Sequence, residues 1–224
     1  MGKLIVIEGL DGSGKSTQAG LISEELRHQG RELMTVSFPD YESDSSALVR
    51  MYLNGAFGTD PNDVNAYAAS SFYAVDRYAS YKKNWKEFYE RPDTVILAAR
   101  YTTSNEIHQL AKIDRDEWEE FITWAEDYEY VKLGIPKPDA VIYLDMKYDI
   151  AMQLVSGRSQ TTGQKKDIHE LDTHYMEQCH KAAAFASAKL HWHTVTCYEG
   201  NEPLPPEDIT FKIMEELIPI LDIS

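Results

Sequence analysis

The nine residues GLDGSGKST (9–17) constrain this chain more than any other stretch. Gly9, Gly14, Lys15 and Ser16 complete the pattern G-x-x-x-x-G-K-S, directly after the apolar run KLIVIE (3–8) and before a helical pattern. A strand that ends in such a turn and restarts as a helix is the setting of a phosphate-binding loop. Its glycines let backbone N–H groups turn inward on phosphate oxygens, and the helix N-terminus adds the positive end of its dipole. Lys15 then reaches the β- and γ-phosphates, and the Ser16 hydroxyl ligates Mg²⁺. Gly12, Ser13 and Thr17 complete the expected nucleotide-binding set. The loop alone specifies ATP or GTP with Mg²⁺ and leaves open what becomes of the phosphate.

The rest of the chain predicts what surrounds the loop. Strand-length apolar runs recur at 3–8, 32–38, 94–99, 140–145 and 193–198, nearly continuous rather than alternating, as in parallel strands covered on both faces. Helical patterns separate them at about 15–29, 61–90, 104–131, 147–157, 168–190 and 205–221. The last is entered through Pro205 and Pro206, with acids in its first turn. Strands alternating with helices give right-handed crossovers and a three-layer α/β domain. At 224 residues, with no linker or repeat, the expectation is a single domain over 1–224. The polar stretch SGRSQTTGQKKD (156–167) lacks a periodic apolar face and reads as a surface loop.

Charge and cysteine content narrow the class. A formal net charge of −15 argues against non-specific binding to nucleic acid or anionic membranes, while leaving room for locally gathered cations around a small phosphorylated ligand. Two cysteines, Cys179 and Cys197, lack metal-ligand spacing and read as free thiols. With no basic leader and no run of membrane-spanning length, the expected location is cytoplasmic. No N-K-x-D guanine reader is present, which disfavours a GTPase. AVIYLDM offers a lone Asp145 rather than the paired acids of an oligomeric ATPase. A small P-loop kinase remains.

Several motifs in order resemble the thymidylate kinase family of nucleoside-monophosphate kinases: GLDGSGKST, FPD after the second strand, FYAVDRY, RYTTSN, GIPKPDAVIYLD and the lid-like GRSQTTGQKKD. The resemblance spans essentially the whole chain. It implies a P-loop kinase fold with a five-stranded parallel sheet flanked by helices, a short lid at about 156–167, and transfer of the ATP γ-phosphate to dTMP with Mg²⁺. Many members are homodimers, so a homodimer is expected.

The resemblance also carries residue roles onto matching positions. In SFYAVDRY (71–78), Tyr73, Asp76 and Arg77 share one helical face. Tyr73 would stack on the thymine ring and Arg77 would hydrogen-bond the base; the bland alternative is a core tyrosine beside a surface ion pair. Arg100 would hold the acceptor phosphate. Ser104, Asn105 and Gln109 would face the pyrimidine, although Asn105 suits a helix start equally well. Phe38 and Pro39 would wall the acceptor, or simply end a strand. Asp11 would orient the acceptor sugar or the water around the metal. With Gly12 where some members carry an arginine, the resemblance sends the search for a further catalytic cation to the lid, to Arg158 first and then to Lys165 and Lys166. The stretch CYEGNEP (197–203) would lie near the adenine.

The pattern is not complete. The family's Asp before Arg-Tyr is Ala99 here, His108 stands where several members carry tyrosine, and the arginine often found after Phe-Pro is missing, with Arg50 the nearest substitute. Two other readings therefore stand beside a dTMP kinase and its broader nucleoside-monophosphate variant. One is a deoxynucleoside kinase using Asp40 as base, and the other is a nucleotide-binding homologue weakened by Ala99.

Overall fold

The computed structural model describes residues 1–162, 169 and 172–222. Its centre is a parallel sheet of β1 (Lys3–Glu8), β2 (Glu32–Ser37), β3 (Thr94–Ala99), β4 (Ala140–Asp145) and β5 (His193–Thr196), in the order β2-β3-β1-β4-β5. Ile5 sits opposite Leu97 on one side and Ala140 on the other. Alternate residues of β1 serve two separate cores, which is why Leu4–Ile7 are all apolar. Ile5 and Ile7 pack with Ile22 and Leu26 of α1 (Lys15–His28) and with Ile213 and Leu217 of α9 (Pro206–Asp222). Leu4 and Val6 face the opposite layer, which contains Trp85, Phe121, Met176 and Ala183. The three-layer α/β arrangement expected from the sequence is present.

The helices between the strands are more broken than their periodicity suggests. The stretch expected as one helix over 61–90 begins with a separate 3₁₀ turn at Pro61–Asp63. Then α3 (Ala66–Ser80) starts where Asn65 Oδ1 accepts from the Ala68 amide, a local bond that competes with an earlier start. A π turn at Tyr81–Trp85 leads into α4 (Lys86–Tyr89). The stretch 104–131 divides further, into α5 (Asn105–His108), a 3₁₀ turn at Leu110–Lys112, α6 (Trp118–Glu126) and a π turn at Asp127–Lys132. Ile113 is extended, and Asp114 and Glu117 form a reciprocal cap that restarts the chain. One helix had no clear periodic signal: α2 (Ala47–Leu53), preceded by a 3₁₀ turn at Asp44–Ser46.

The expected loop beginning at 156 is corrected by α7 (Tyr148–Thr162), which stays helical to Thr162. Residues 156–162 contain no proline, and Gly157 costs a helix only about 1 kcal/mol. Absence of an apolar face in the sequence therefore did not exclude a helix. Lys165 and Lys166 lie outside the described residues. The chain resumes with α8 (Thr173–Lys189), capped by Asp172. Beyond β5, Tyr198–Glu199 pairs antiparallel with Glu202–Pro203, and Lys147 ties this hairpin down through Gly200 O and Asn201 Oδ1. Among the described residues, no helix is long and apolar enough to cross a membrane.

Candidate active site

The carboxyl ends of β1, β2 and β3 open into one cleft, the position at which open α/β sheets bind ligands. After β1 the phosphate loop turns through Gly12, at φ 84°, and Gly14, at φ 88°, immediately before α1. Gly12 is required twice over, since a Cβ there would stand 2.3 Å from the Ala151 carbonyl oxygen of α7. Lys15 is buried, with Nζ donating to Leu10 O at 2.7 Å and 3.7 Å from Asp11 Oδ1. Ser16 and Thr17 are exposed at the helix start, and Ser13 is buried within the loop.

Beside the loop lies a cavity of about 480 Å³, a size suited to a nucleotide-scale ligand. Every residue expected at the acceptor lines it: Phe38 and Pro39 from the end of β2, Tyr73 and Arg77 from α3, Arg100 after β3, and Ser104, Asn105 and Gln109 around α5. Asp11, Lys15 and Ser16 line the same cavity, so the loop and the acceptor residues share one space. Gly9, Gly12, Ser13, Gly14 and Thr17 stand outside its lining. Arg158 falls on α7 rather than in a loop.

Arg100 links the two halves. Its backbone amide still bonds Ile7 O at 3.1 Å, continuing the sheet, while its φ of 64° turns the side chain back over the cleft. That left-handed backbone is uncommon for a side chain of this size. NH2 donates to Asp11 Oδ1, and NH1 lies 3.8 Å from Glu8 Oε1 and 3.2 Å from His108 Nε2. Burial works against the guanidinium's charge, yet Asp11 and Glu8 outweigh it and raise its pKa. Burial, with the charge of Arg100 next, holds His108 well below the usual histidine range. Neutral His108 thus accepts from Arg100 at Nε2, and its Nδ1–H faces the Cys179 sulfur at 3.5 Å.

Glu8, beneath the cleft, was not among the residues expected from the sequence. It is fully buried, accepts from Gly9 N at 2.9 Å, and takes Thr103 Oγ1 and Ser104 Oγ, both at 2.7 Å, on its other oxygen. Ser104 therefore lines the cavity while its hydroxyl is committed to Glu8. A lone charge ending an apolar strand was the signal available. With Glu8 and Asp11 both near Arg100, two carboxylates stand where Ala99 supplies none.

Arg77 is not the surface ion pair of the bland reading, nor is it a free base-reading arm. Its side chain is buried, with Nε donating to Glu129 Oε2 at 2.7 Å, NH2 to Oε1 at 2.5 Å, and NH1 to Tyr101 O at 3.2 Å. Asn105 opens α5 without capping it; its Nδ2 donates to Glu129 Oε1 at 3.0 Å and to Ser70 O at 3.4 Å. Gln109 is fully buried, and neither atom of its amide meets a partner among the described residues. The Asp76 carboxylate faces elsewhere and receives Asp40 N and Ser45 Oγ, fixing the loop after β2. Arg50 lines the cavity but spends NH1 on Tyr41 O, Ser43 O and Ser46 Oγ. Neither Asp40 nor Asp145 lines the cavity, whereas His169, unforeseen from the sequence, does. Its ring stacks against His108 at 6.0 Å, and its Nε2 lies 2.9 Å from the Tyr52 hydroxyl.

A triphosphate loop facing a second, cation-lined pocket across Asp11 defines a P-loop kinase that passes a phosphoryl group to another bound nucleotide. Within that class, the chain belongs to the thymidylate kinase family, whose model matches residues 7–201. A thymidylate kinase of Mycobacterium tuberculosis is 31% identical over 177 residues, covering 78% of this chain and 81% of that one. A thymidylate kinase of Caenorhabditis elegans is 30% identical over 161 residues, covering 68% and 66%. A solved thymidylate kinase from Candida albicans, at 24% identity, shares the fold with a TM-score of 0.69 over 97% of this chain and 92% of its own.

Proposed function

We propose that the protein transfers the γ-phosphoryl group of ATP to dTMP, giving ADP and dTDP, within one kinase domain. The observation that carries the acceptor half is the buried Gln109 amide beside Asn105, Arg77 and Tyr73. A buried amide with no protein partner costs about 1–3 kcal/mol, which a base hydrogen-bonding to it would offset. Tyr73 supplies the stacking face, and Arg100 receives the acceptor phosphate. A phosphate oxygen is already nucleophilic at neutral pH, so the chain has no strong base to provide. Its work is to align donor and acceptor and to gather positive charge from Lys15, Arg100 and, from the lid side, Arg158.

The donor set fits Mg²⁺. Among the described residues, no group of His, Cys, Asp and Glu side chains could hold a metal by itself. The exposed Ser16 hydroxyl and the nearby Asp11 carboxylate are hard oxygen donors of the kind that complete a phosphate-held, partly hydrated Mg²⁺. When bound, the ion neutralises the β- and γ-phosphates. A homodimer and a cytoplasmic setting belong to the same proposal: Tyr67, Val75 and Tyr78 are exposed along α3, and Cys179 and Cys197 are free thiols. Light scattering checks the former.

The test is ADP release measured across nucleoside monophosphates. The expected result is dTMP as the best acceptor; dTMP no better than the others overturns the reading. Turnover of thymidine without dTMP would support the deoxynucleoside kinase instead, but Asp40, its required base, lies outside the cavity.

A further inference from the structure

Glu129 lies 52 positions from Arg77 in sequence and does not line the cavity, yet it holds two residues that do. Its carboxylate can only accept, and that fixes both partners. Arg77 must present Nε and NH2 to it, as observed, and NH1 spends one further N–H on Tyr101 O. One N–H on NH1 and one on NH2 remain. Asn105 must turn its Nδ2 to the carboxylate, and the second hydrogen of that amide goes to Ser70 O. Only Oδ1 is left to a ligand. The π turn at Asp127–Lys132 makes this possible by carrying Glu129 inward, where it is 1% exposed among its half-buried and exposed neighbours.

Resting on the reading of this cavity as a nucleoside-monophosphate acceptor site, we propose that Glu129 is the positioning residue that sets its choice of base. By holding the Arg77 guanidinium, which can only donate, in place and by fixing Asn105 Oδ1 as an acceptor, it makes an edge complementary to O4 and N3–H of a keto pyrimidine. The same edge is mismatched to cytosine, which presents an amino donor to Arg77 and a bare ring nitrogen to Asn105 Oδ1. The rule separates keto from amino pyrimidines, so dUMP follows dTMP and dCMP does not. Guanine carries a keto edge on a larger ring, and the comparison is therefore made within pyrimidines.

The experiment measures kcat/KM for dTMP and dCMP in the wild type and in Glu129→Gln, whose amide can donate or accept and fixes neither partner. The expected result is a fall in the dTMP-to-dCMP ratio of about tenfold or more, with KM for ATP changed by less than about twofold. A merely structural role would lower both substrates together and leave the ratio unchanged, and that result overturns the proposal. If Glu129→Gln does not fold, Glu129→Asp keeps the buried charge paired but draws the carboxylate back by one methylene; it is expected to lower the ratio while KM for ATP is kept, and an unchanged ratio overturns the proposal. A wild type that phosphorylates dTMP and dCMP equally also overturns it while leaving the kinase reading intact. A wild type that phosphorylates neither counts against the acceptor reading itself.

Discussion

Arg100 reaches across 89 positions of sequence to donate to Asp11, so the residue that would hold the acceptor phosphate is oriented by the loop that would hold the donor. Glu8, at 3.8 Å, faces the other arm of the guanidinium. The same contacts that raise its pKa keep it charged at any working pH. Arg100→Ala would remove the forked cation and leave Asp11 and Glu8 without it. We expect kcat to fall by about 10²–10³ while KM for ATP moves by less than about threefold. Arg100→Lys should recover only a minor part, because a point charge cannot serve two carboxylates and a phosphate in one plane. Steady-state kinetics with each substrate varied separately check both expectations.

Gly12 and Gly14 offer a controlled comparison within the phosphate loop. Both have positive φ, at 84° and 88°, but only Gly12 has a neighbour in the way, the Ala151 carbonyl oxygen at 2.3 Å from an added Cβ. Gly14 would meet nothing within 4 Å. Gly14→Ala should therefore cost backbone strain alone, about 1 kcal/mol. Gly12→Ala should cost more, about 2–3 kcal/mol, because α7 must also move away. Thermal unfolding of the two variants should show a lower midpoint for Gly12→Ala, and ATP titration should show a larger loss of affinity.

The sheet and the phosphate loop were legible in the sequence because both are local. The central strands β1, β3 and β4 are buried runs whose neighbours need not be known, whereas the edge strands β2 and β5 are largely half-buried or exposed rather than covered on both faces. GLDGSGKST carries its geometry in consecutive residues. The acceptor residues were also locatable, since all eight line the cavity. Their hydrogen bonds were not, because those depend on partners far along the chain. Arg77 could not be assigned to Glu129 from either local sequence, and only the π turn turns that glutamate inward. The breaks around Ile113 and at Asn65 come from Asp and Asn side chains that bond nearby backbone, which apolar periodicity does not register. Glu8 is the residue that was visible and passed over, a charge at the end of an otherwise apolar strand.

The cavity's far wall should weaken in acid. Burial, then the charge of Lys112, pushes His169 down from 6.5 to about 3. The unfolded chain therefore binds a proton that the folded one refuses between those values, and stability must rise with pH there. The contribution is fully present above about pH 6.5 and is lost as pH falls towards 3, to an extent of up to a few kcal/mol. His169→Gln keeps a polar group near the Tyr52 hydroxyl but cannot titrate. Its unfolding midpoint should decline less steeply than the wild type's between about pH 6.5 and pH 4. Parallel curves for the two proteins would contradict the assignment.

Glu106 should act with the opposite sign. It is buried on α5, and that burial, with Glu126 and Glu129 nearby, pushes its carboxyl up from 4.5 to about 8, only partly relieved by Lys137. The folded protein then holds a proton that the unfolded chain has released, so stability must fall as pH rises between those values. The benefit is complete below about pH 4.5 and gone once pH passes through about 8. Glu106→Gln imitates the protonated side chain without the titration. Its midpoint should lie close to the wild type's near pH 5 and exceed it at about pH 9 by on the order of 10 °C, since the shift amounts to about 4 kcal/mol over that range and 1 kcal/mol is worth roughly 2–4 °C in a chain of this size. Because Glu106 lies next to Asn105 on the same short helix, KM for dTMP should also rise with pH above 8 in the wild type and stay flat in the variant. Equal midpoints at both pH values would show that Glu106 is not buried in its neutral form.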